Sequence, residues 1–163
     1  RKTQMVLVLA LSALCGLPAG AHEAPAHAAK TGAPADDAKA ITHAMKAQLD
    51  KPTAPLTVKP VLVEGDFAVA GWLQEGRGGR ALLSRHKGTW RIDLCGGDGL
   101  VQADALVQAG LAKPAAARLT KSIQTAEARL TAAERKQLSS FDGIIKVGAG
   151  HDAHHTPVHG AKH

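Results

Sequence analysis

The sequence predicts an α+β fold: an N-terminal helix, a four-stranded antiparallel meander and two to three C-terminal helices, with disordered His-rich ends outside a single domain spanning residues 36 to 147. Three observations carry this. Apolar residues recur at helical spacing from Ala38 to Leu49 and again from Leu100 to Leu130, and the stretch between them breaks into short extended segments separated by turn formers. Residues 22 to 35 and 148 to 163 have no periodic apolar face. At 163 residues the chain has room for one modest core.

Asp36-Asp37 supplies N-cap chemistry for the first helix, in which Ala38, Ile41, Met45 and Leu49 share a face before Pro52 ends the pattern. Extended segments follow at Leu56 to Glu64, Phe67 to Gln74, Arg80 to His86 and Thr89 to Leu94. Gly65-Asp66, the Gly-rich Glu75 to Gly79 and Lys87-Gly88 suit the turns between them. Trp90, Ile92 and Leu94 alternate with Thr89, Arg91 and Asp93, the pattern of a sheet with one buried face. Pro60 lacks an N–H, which assigns the first strand to an edge. After Cys95-Gly96-Gly97-Asp98-Gly99 the helical period returns: Leu100, Ala103, Val107 and Leu111 share a face, with Gly110 as a C-cap. Pro114 suits a helix first turn, and Leu119, Ile123, Ala126 and Leu130 continue the helical spacing. Thr131 to Glu134 fits a capping box, so a break near 131 and a short last helix are expected.

Ahead of this domain, Arg1 and Lys2 precede an apolar run from Met5 to Leu17 that is too short to span a bilayer, and Ala19-Gly20-Ala21 has the small-x-small form of a cleavage site. Residues 1 to 21 read as a secretory signal peptide. Cys15 follows Leu14, where a lipoprotein signal wants a small residue, so that alternative is set aside. The expected product is periplasmic, with no membrane insertion after signal removal. Its Lys plus Arg falls from 20 to 18 against 14 Asp plus Glu, a net charge of +4. That mild excess, without Tyr and with two Phe and two Trp, argues against nucleic-acid partners. Cys95 is then the one remaining cysteine, so no intrachain disulfide forms.

Residues 50 to 100 contain Asp50-Lys51-Pro52, Ala54-Pro55-Leu56, Gly71-Trp72, Gly78-Gly79-Arg80-Ala81-Leu82-Leu83, Trp90 and Leu94-Cys95-Gly96-Gly97-Asp98. In these features the chain resembles a family of small exported bacterial proteins described as copper uptake system-associated, over roughly residues 36 to 147. The resemblance implies a role beside copper import in the periplasm, with a copper transporter or outer-membrane receptor as the expected partner. It carries no catalytic residues over.

The ends hold most of the metal-binding chemistry. His151, His154, His155, His159 and His163 fall in the last thirteen residues, and neutral imidazole suits copper, nickel and zinc. An unstructured tail must be ordered when it chelates, so modest affinity is expected. Cleavage after Ala21 would make His22 the N-terminal residue, whose α-amino group and imidazole chelate Cu(II), with His27 adding a nitrogen. Cleavage after Ala19 would give Gly-Ala-His, which wraps Cu(II) through backbone nitrogens. Solvated, inactive histidines are the plain alternative at both ends.

Cys95 has two readings: a soft ligand for Cu(I), with Met45 or a histidine beside it, or a small apolar side chain filling the end of the sheet. The absence of a second Cys or Met nearby in sequence favours the second. A Cys95–His86 nucleophilic pair would imply an enzyme, but neither an orienting residue nor an oxyanion loop is identifiable, and a non-enzymatic protein is expected. His43 and Met45 lie on different faces of one helix, which makes Met45 core and His43 exposed. Gly76, Gly78, Gly79, Gly96 and Gly97 lack phosphate-loop spacing and read as turns. The expected function is periplasmic copper handling through the His-rich ends; the alternative is a protein-interaction module in which metal binding is incidental.

Overall fold

The computed structural model describes residues 34 to 147. Its elements are α1 (Pro34–Leu49), β1 (Thr57–Glu64), β2 (Phe67–Gln74), β3 (Arg77–His86), β4 (Thr89–Gly96), α2 (Ala103–Gln108), α3 (Lys113–Glu127), α4 (Ala132–Leu138) and β5 (Ile144–Lys146), with a 3-10 turn at Asp98–Val101. The fold is α+β, and the strands form one antiparallel sheet in the order β1-β2-β3-β4-β5. No helix among the described residues is long and apolar enough to cross a membrane.

Helix α1 begins at Pro34, so Pro34 and Ala35 belong to the domain rather than to the leader. Asp36 and Asp37 sit inside the first turn, where their charge complements the helix dipole, and do not precede it as caps. Asp37 is also buried, for a tertiary reason taken up below. The segment after α1 is closed by two side chains. Asp50 Oδ1 accepts the Leu56 N–H at 2.7 Å, and Gln74 Nε2 donates to the carbonyls of Leu49 and Ala54 at 2.9 and 2.7 Å.

Three sheet expectations change. The Gly-rich stretch is mostly strand: only Glu75-Gly76 turns, both at positive φ, and β3 already starts at Arg77. A fifth strand, β5, adds to the outer edge of β4 through the pairs Leu94↔Lys146, Cys95↔Ile145 and Gly96↔Ile144. Three residues carry too little periodicity to be seen in the sequence. The third change concerns the faces. The register slips between Leu82 and Leu83, which pair with Leu94 and Ile92 respectively and leave Asp93 as the extra residue. Such a bulge reverses the alternation beyond it. Trp90, Ile92 and Cys95 therefore enter one core, while Leu94 packs against the other.

Both sheet faces are buried, not one. Ile41 and Met45 of α1 pack on Ala68, Ala70, Ala81, Leu83, Trp90 and Ile92 of the sheet. The three alanines on the central strands let the helix approach closely. On the opposite face Val69 and Leu82 pack with Leu100, Leu106, Leu111, Ala116, Leu119 and Ile123. The uninterrupted apolar run Phe67 to Ala70 is the local signal of two-sided burial. β1 does lie at an edge, as Pro60 requires; its Lys59-Pro60 peptide is cis, and the pairing with β2 is irregular between Val58 and Val61.

The C-terminal helices follow the expected spacing with two shifts. Leu106 rather than Val107 is the buried anchor of α2. In α3, Ala116, Leu119 and Ile123 form the stripe, and its fourth buried member is Glu127 instead of Ala126. The Thr131–Glu134 capping box is present, with both reciprocal bonds.

Candidate functional site

Seven of the eight sequence-selected site residues, His22, His27, His151, His154, His155, His159 and His163, lie outside the described residues. The eighth, Cys95, is buried at 6 % exposure in the core beneath α1 that also holds Met45. Burial pushes its thiol up to about 11, so at neutral pH it carries its proton. Among the described residues no three His, Cys, Asp or Glu side chains gather in a metal-binding group. His43 and His86 are both exposed. His86 pairs with Thr89 while Cys95 pairs with Ala81, near the far end of the same hairpin. Five residues of β3 separate these positions, roughly 17 Å, so no nucleophilic pair forms.

Sequence reasoning missed two ion-pair centres built on arginine, Arg85 partly and Arg80 fully buried. The first ties α1 to the β3–β4 hairpin. Arg85 Nη2 donates to Asp37 Oδ2 at 2.7 Å, its Nε stands 3.2 Å from Asp66 Oδ1, and its guanidinium carbon lies 4.5 Å from the Trp90 ring centre. The Trp90 indole N–H donates to the other Asp37 oxygen at 3.3 Å. The Arg85 hydrogen bond holds the Asp37 carboxyl below its ordinary range, against the opposing effect of burial. Stacked on an aromatic face and paired twice, Arg85 has the environment a planar guanidinium suits and a lysine would not.

The second centre lies on the opposite face. Arg80, 3 % exposed, makes a two-pronged bond to Glu127, Nε to Oε1 and Nη2 to Oε2, both at 2.7 Å. Its Nη1 donates to Asp98 Oδ1 and to the Leu138 carbonyl, each at 3.2 Å. Ser139 Oγ donates to the same Asp98 oxygen at 2.6 Å. Burial by itself would lower the Arg80 value; the Glu127 and Asp98 carboxylates together outweigh it and hold the guanidinium above its ordinary range. One side chain thus joins β3, the 3-10 turn, α3 and α4. A charged Glu on the apolar stripe of α3 was the sequence signal, since such a residue needs a buried cation opposite it.

The glycines around Arg80 are explained by close approach. A Cβ on Gly71 would lie 2.4 Å from the Lys59 carbonyl oxygen, and one on Gly97 would lie 2.1 Å from that of Phe141. The signature residues between positions 50 and 100 therefore shape the fold. Asp50 closes a loop, Gly71 and Gly97 admit backbone, Trp72 meets Phe141 edge-on at 6.0 Å, Arg80 and Trp90 anchor ion pairs, and Cys95 fills core. An open cleft of about 400 Å³ lies beside Trp72, Arg77, Ser140 and Phe141, at the end of the sheet away from the β3–β4 turn.

Set beside protein-family models, curated proteins and solved structures, the chain matches none. What the fold defines is a two-core α+β scaffold whose described residues spend their buried charge on holding elements together.

Proposed function

We propose that this chain is a non-enzymatic periplasmic accessory protein of copper acquisition or handling, a compact scaffold that carries copper-binding histidines on its two ends. One observation carries this reading: of nine histidines in the chain, seven lie in residues 22 to 33 and 151 to 163, and the two within the domain stand alone and exposed. Imidazole in that density suits Cu(II), whose affinity for nitrogen ligands tops the divalent series. The resemblance of residues 50 to 100 to copper uptake system-associated proteins supports the same metal and a partner such as a copper transporter or outer-membrane receptor. Export through residues 1 to 21 supports the compartment.

The expected result is that the secreted, processed chain binds Cu(II) in a calorimetric titration and that replacing the seven terminal histidines by alanine abolishes that binding without altering the circular dichroism spectrum. Equal, weak binding by both proteins would overturn the reading.

A second reading is favoured by a different observation. Ile144 and Ile145 are 43 % and 52 % exposed on the outermost strand, an arrangement suited to strand addition by a protein partner. Metal-independent capture of a periplasmic transporter or receptor, lost in Ile145→Lys, is the expected outcome under that reading; capture that requires copper would count against it.

A further inference from the structure

The helices on one side of the sheet carry an unbalanced charge. Arg80 of β3 bonds Glu127 of α3 and the Leu138 carbonyl of α4, and a Cβ on Gly71 would touch the Leu138 side chain, so α3 and α4 lie together on one sheet face. α3 turns Ala116, Leu119, Ile123 and Glu127 inward. On its outer side Lys113 and Lys121 stand about two turns apart, with Arg129 just past the helix and Arg135 and Lys136 on α4, all exposed. None of these five cations meets a carboxylate among the described residues; Arg135 bonds only the Leu130 carbonyl.

The acids that could neutralise them are engaged elsewhere. Glu127 is sealed against Arg80, Glu134 binds Lys59 at 2.6 Å, and Glu64 of β1 binds Arg118 at 2.6 Å. The next exposed carboxylates along the chain, Asp104 on α2 and Asp142 past α4, leave the balance positive. α1, on the opposite sheet face, is balanced instead, with Asp36, Lys39, Lys46 and Asp50 all exposed.

Shape decides what such a face takes. The exposed side chains between the cations are mostly short: Ala117, Ser122, Thr125, Ala128, Ala132 and Ala133. A protein interface draws its affinity from a few large groups around an apolar centre, and the exposed large apolar side chains among the described residues, Ile144 and Ile145, are on β5. Long cations on a shallow floor without an apolar stripe suit a partner that is itself broad and anionic. We propose that α3 and α4 form a basic face that rests on an anionic phospholipid surface without insertion, its cations meeting the headgroup phosphates. This interaction goes beyond the copper reading and does not depend on it.

The test is co-sedimentation of the processed chain, with a metal chelator present, on vesicles of phosphatidylcholine and phosphatidylglycerol in equal parts and on vesicles of phosphatidylcholine alone. The parent is compared with the face variant Lys113→Gln/Lys121→Gln/Arg129→Gln/Arg135→Gln/Lys136→Gln. A control loses the same charge elsewhere: Lys39→Gln/Lys46→Gln/Lys51→Gln/Arg77→Gln/Arg91→Gln. Every substituted residue is exposed and outside the ion pairs of the described residues, and circular dichroism verifies that all three proteins are folded. The parent is expected to bind the anionic vesicles only, and less as salt is added. The face variant should lose at least about a hundredfold in affinity, since each basic side chain at an anionic surface is worth roughly fivefold, and the control much less. Equal losses in both variants would show net charge at work and overturn the face. Binding retained by the face variant, equal binding to both vesicle types, or no binding by the parent would overturn the proposal outright. Displacement from the vesicles by poly-glutamate at matched negative charge would show a preference for acidic polypeptide and overturn the assignment to lipid. Because the chelator removes copper, each of these outcomes leaves the copper reading where it stands.

Discussion

Arg80 shows how much one side chain carries. Its guanidinium is almost sealed from solvent and spends its donors on Glu127, Asp98 and the Leu138 carbonyl. Removing it strands the Glu127 carboxylate in the interior, which costs about 3–5 kcal/mol when one partner of a buried pair is deleted. Arg80→Ala is accordingly expected to lower the urea midpoint sharply, and Arg80→Met/Glu127→Leu to recover much of the loss; measured denaturation curves of the two variants check both. Cys95 makes a pH statement of a different sign from the carboxylates. Its pKa rises from 9.0 unfolded to about 11 folded, so the fold favours the protonated thiol. Its contribution is complete below pH 9 and declines as pH rises from 9 to about 11, on the order of 3 kcal/mol in all. Stability measured across that window should fall in the parent and fall less in Cys95→Ala. Burial of Cys95 as a small side chain at the end of the sheet was legible in the sequence; the Arg80 pairing was not. Arg80 and Glu127 are 47 positions apart, so the charge on the α3 stripe asks for a buried cation without saying which one.

At the scale of elements, legibility followed length and local chemistry. β2 was read to the residue because Gly65-Asp66 and Glu75-Gly76 bracket an apolar run, and the capping box at Thr131–Glu134 was read because both partners lie within one turn. β5 went unread since it exists only as the partner of β4. The β4 bulge went unread since Trp90-Arg91-Ile92-Asp93-Leu94 alternates perfectly on paper; the sheet breaks that alternation and seats Ile92 and Leu94 in different cores. Glycine shows the same division. Gly76 belongs to a turn, where its positive φ is a local requirement, whereas Gly71 is glycine because the Lys59 carbonyl passes where its Cβ would be. Backbone atoms cannot swing aside as a flexible side chain does. Gly71→Ala is expected to destabilise the domain by about 1–3 kcal/mol through overpacking between β1 and β2, while Gly65→Ala, with open space around its Cβ, should cost only the strain of its positive φ. Thermal melts of the two variants distinguish a packing cost from a dihedral one.

For the whole molecule, structure and chemistry divide along the chain. The domain uses its charges for cohesion: Arg85 with Asp37 on one side of the sheet, Arg80 with Glu127 on the other. Its metal-capable side chains stay apart, and the histidines accumulate in the flanking segments.

The sequence by itself determined the α+β class, the order of helix, meander and helices, and the segregation of histidine to the ends. All of these are written in local period, turn residues and composition, which act over a few positions. Only the tertiary structure decided that both sheet faces are covered, that Ile92 and Leu94 part company at a bulge, and that Arg80 and Arg85 pair with acids far away in sequence. Those outcomes depend on which distant segments meet, and the free energy that selects the meeting comes from burial and ion pairing across the fold rather than from any one stretch of chain.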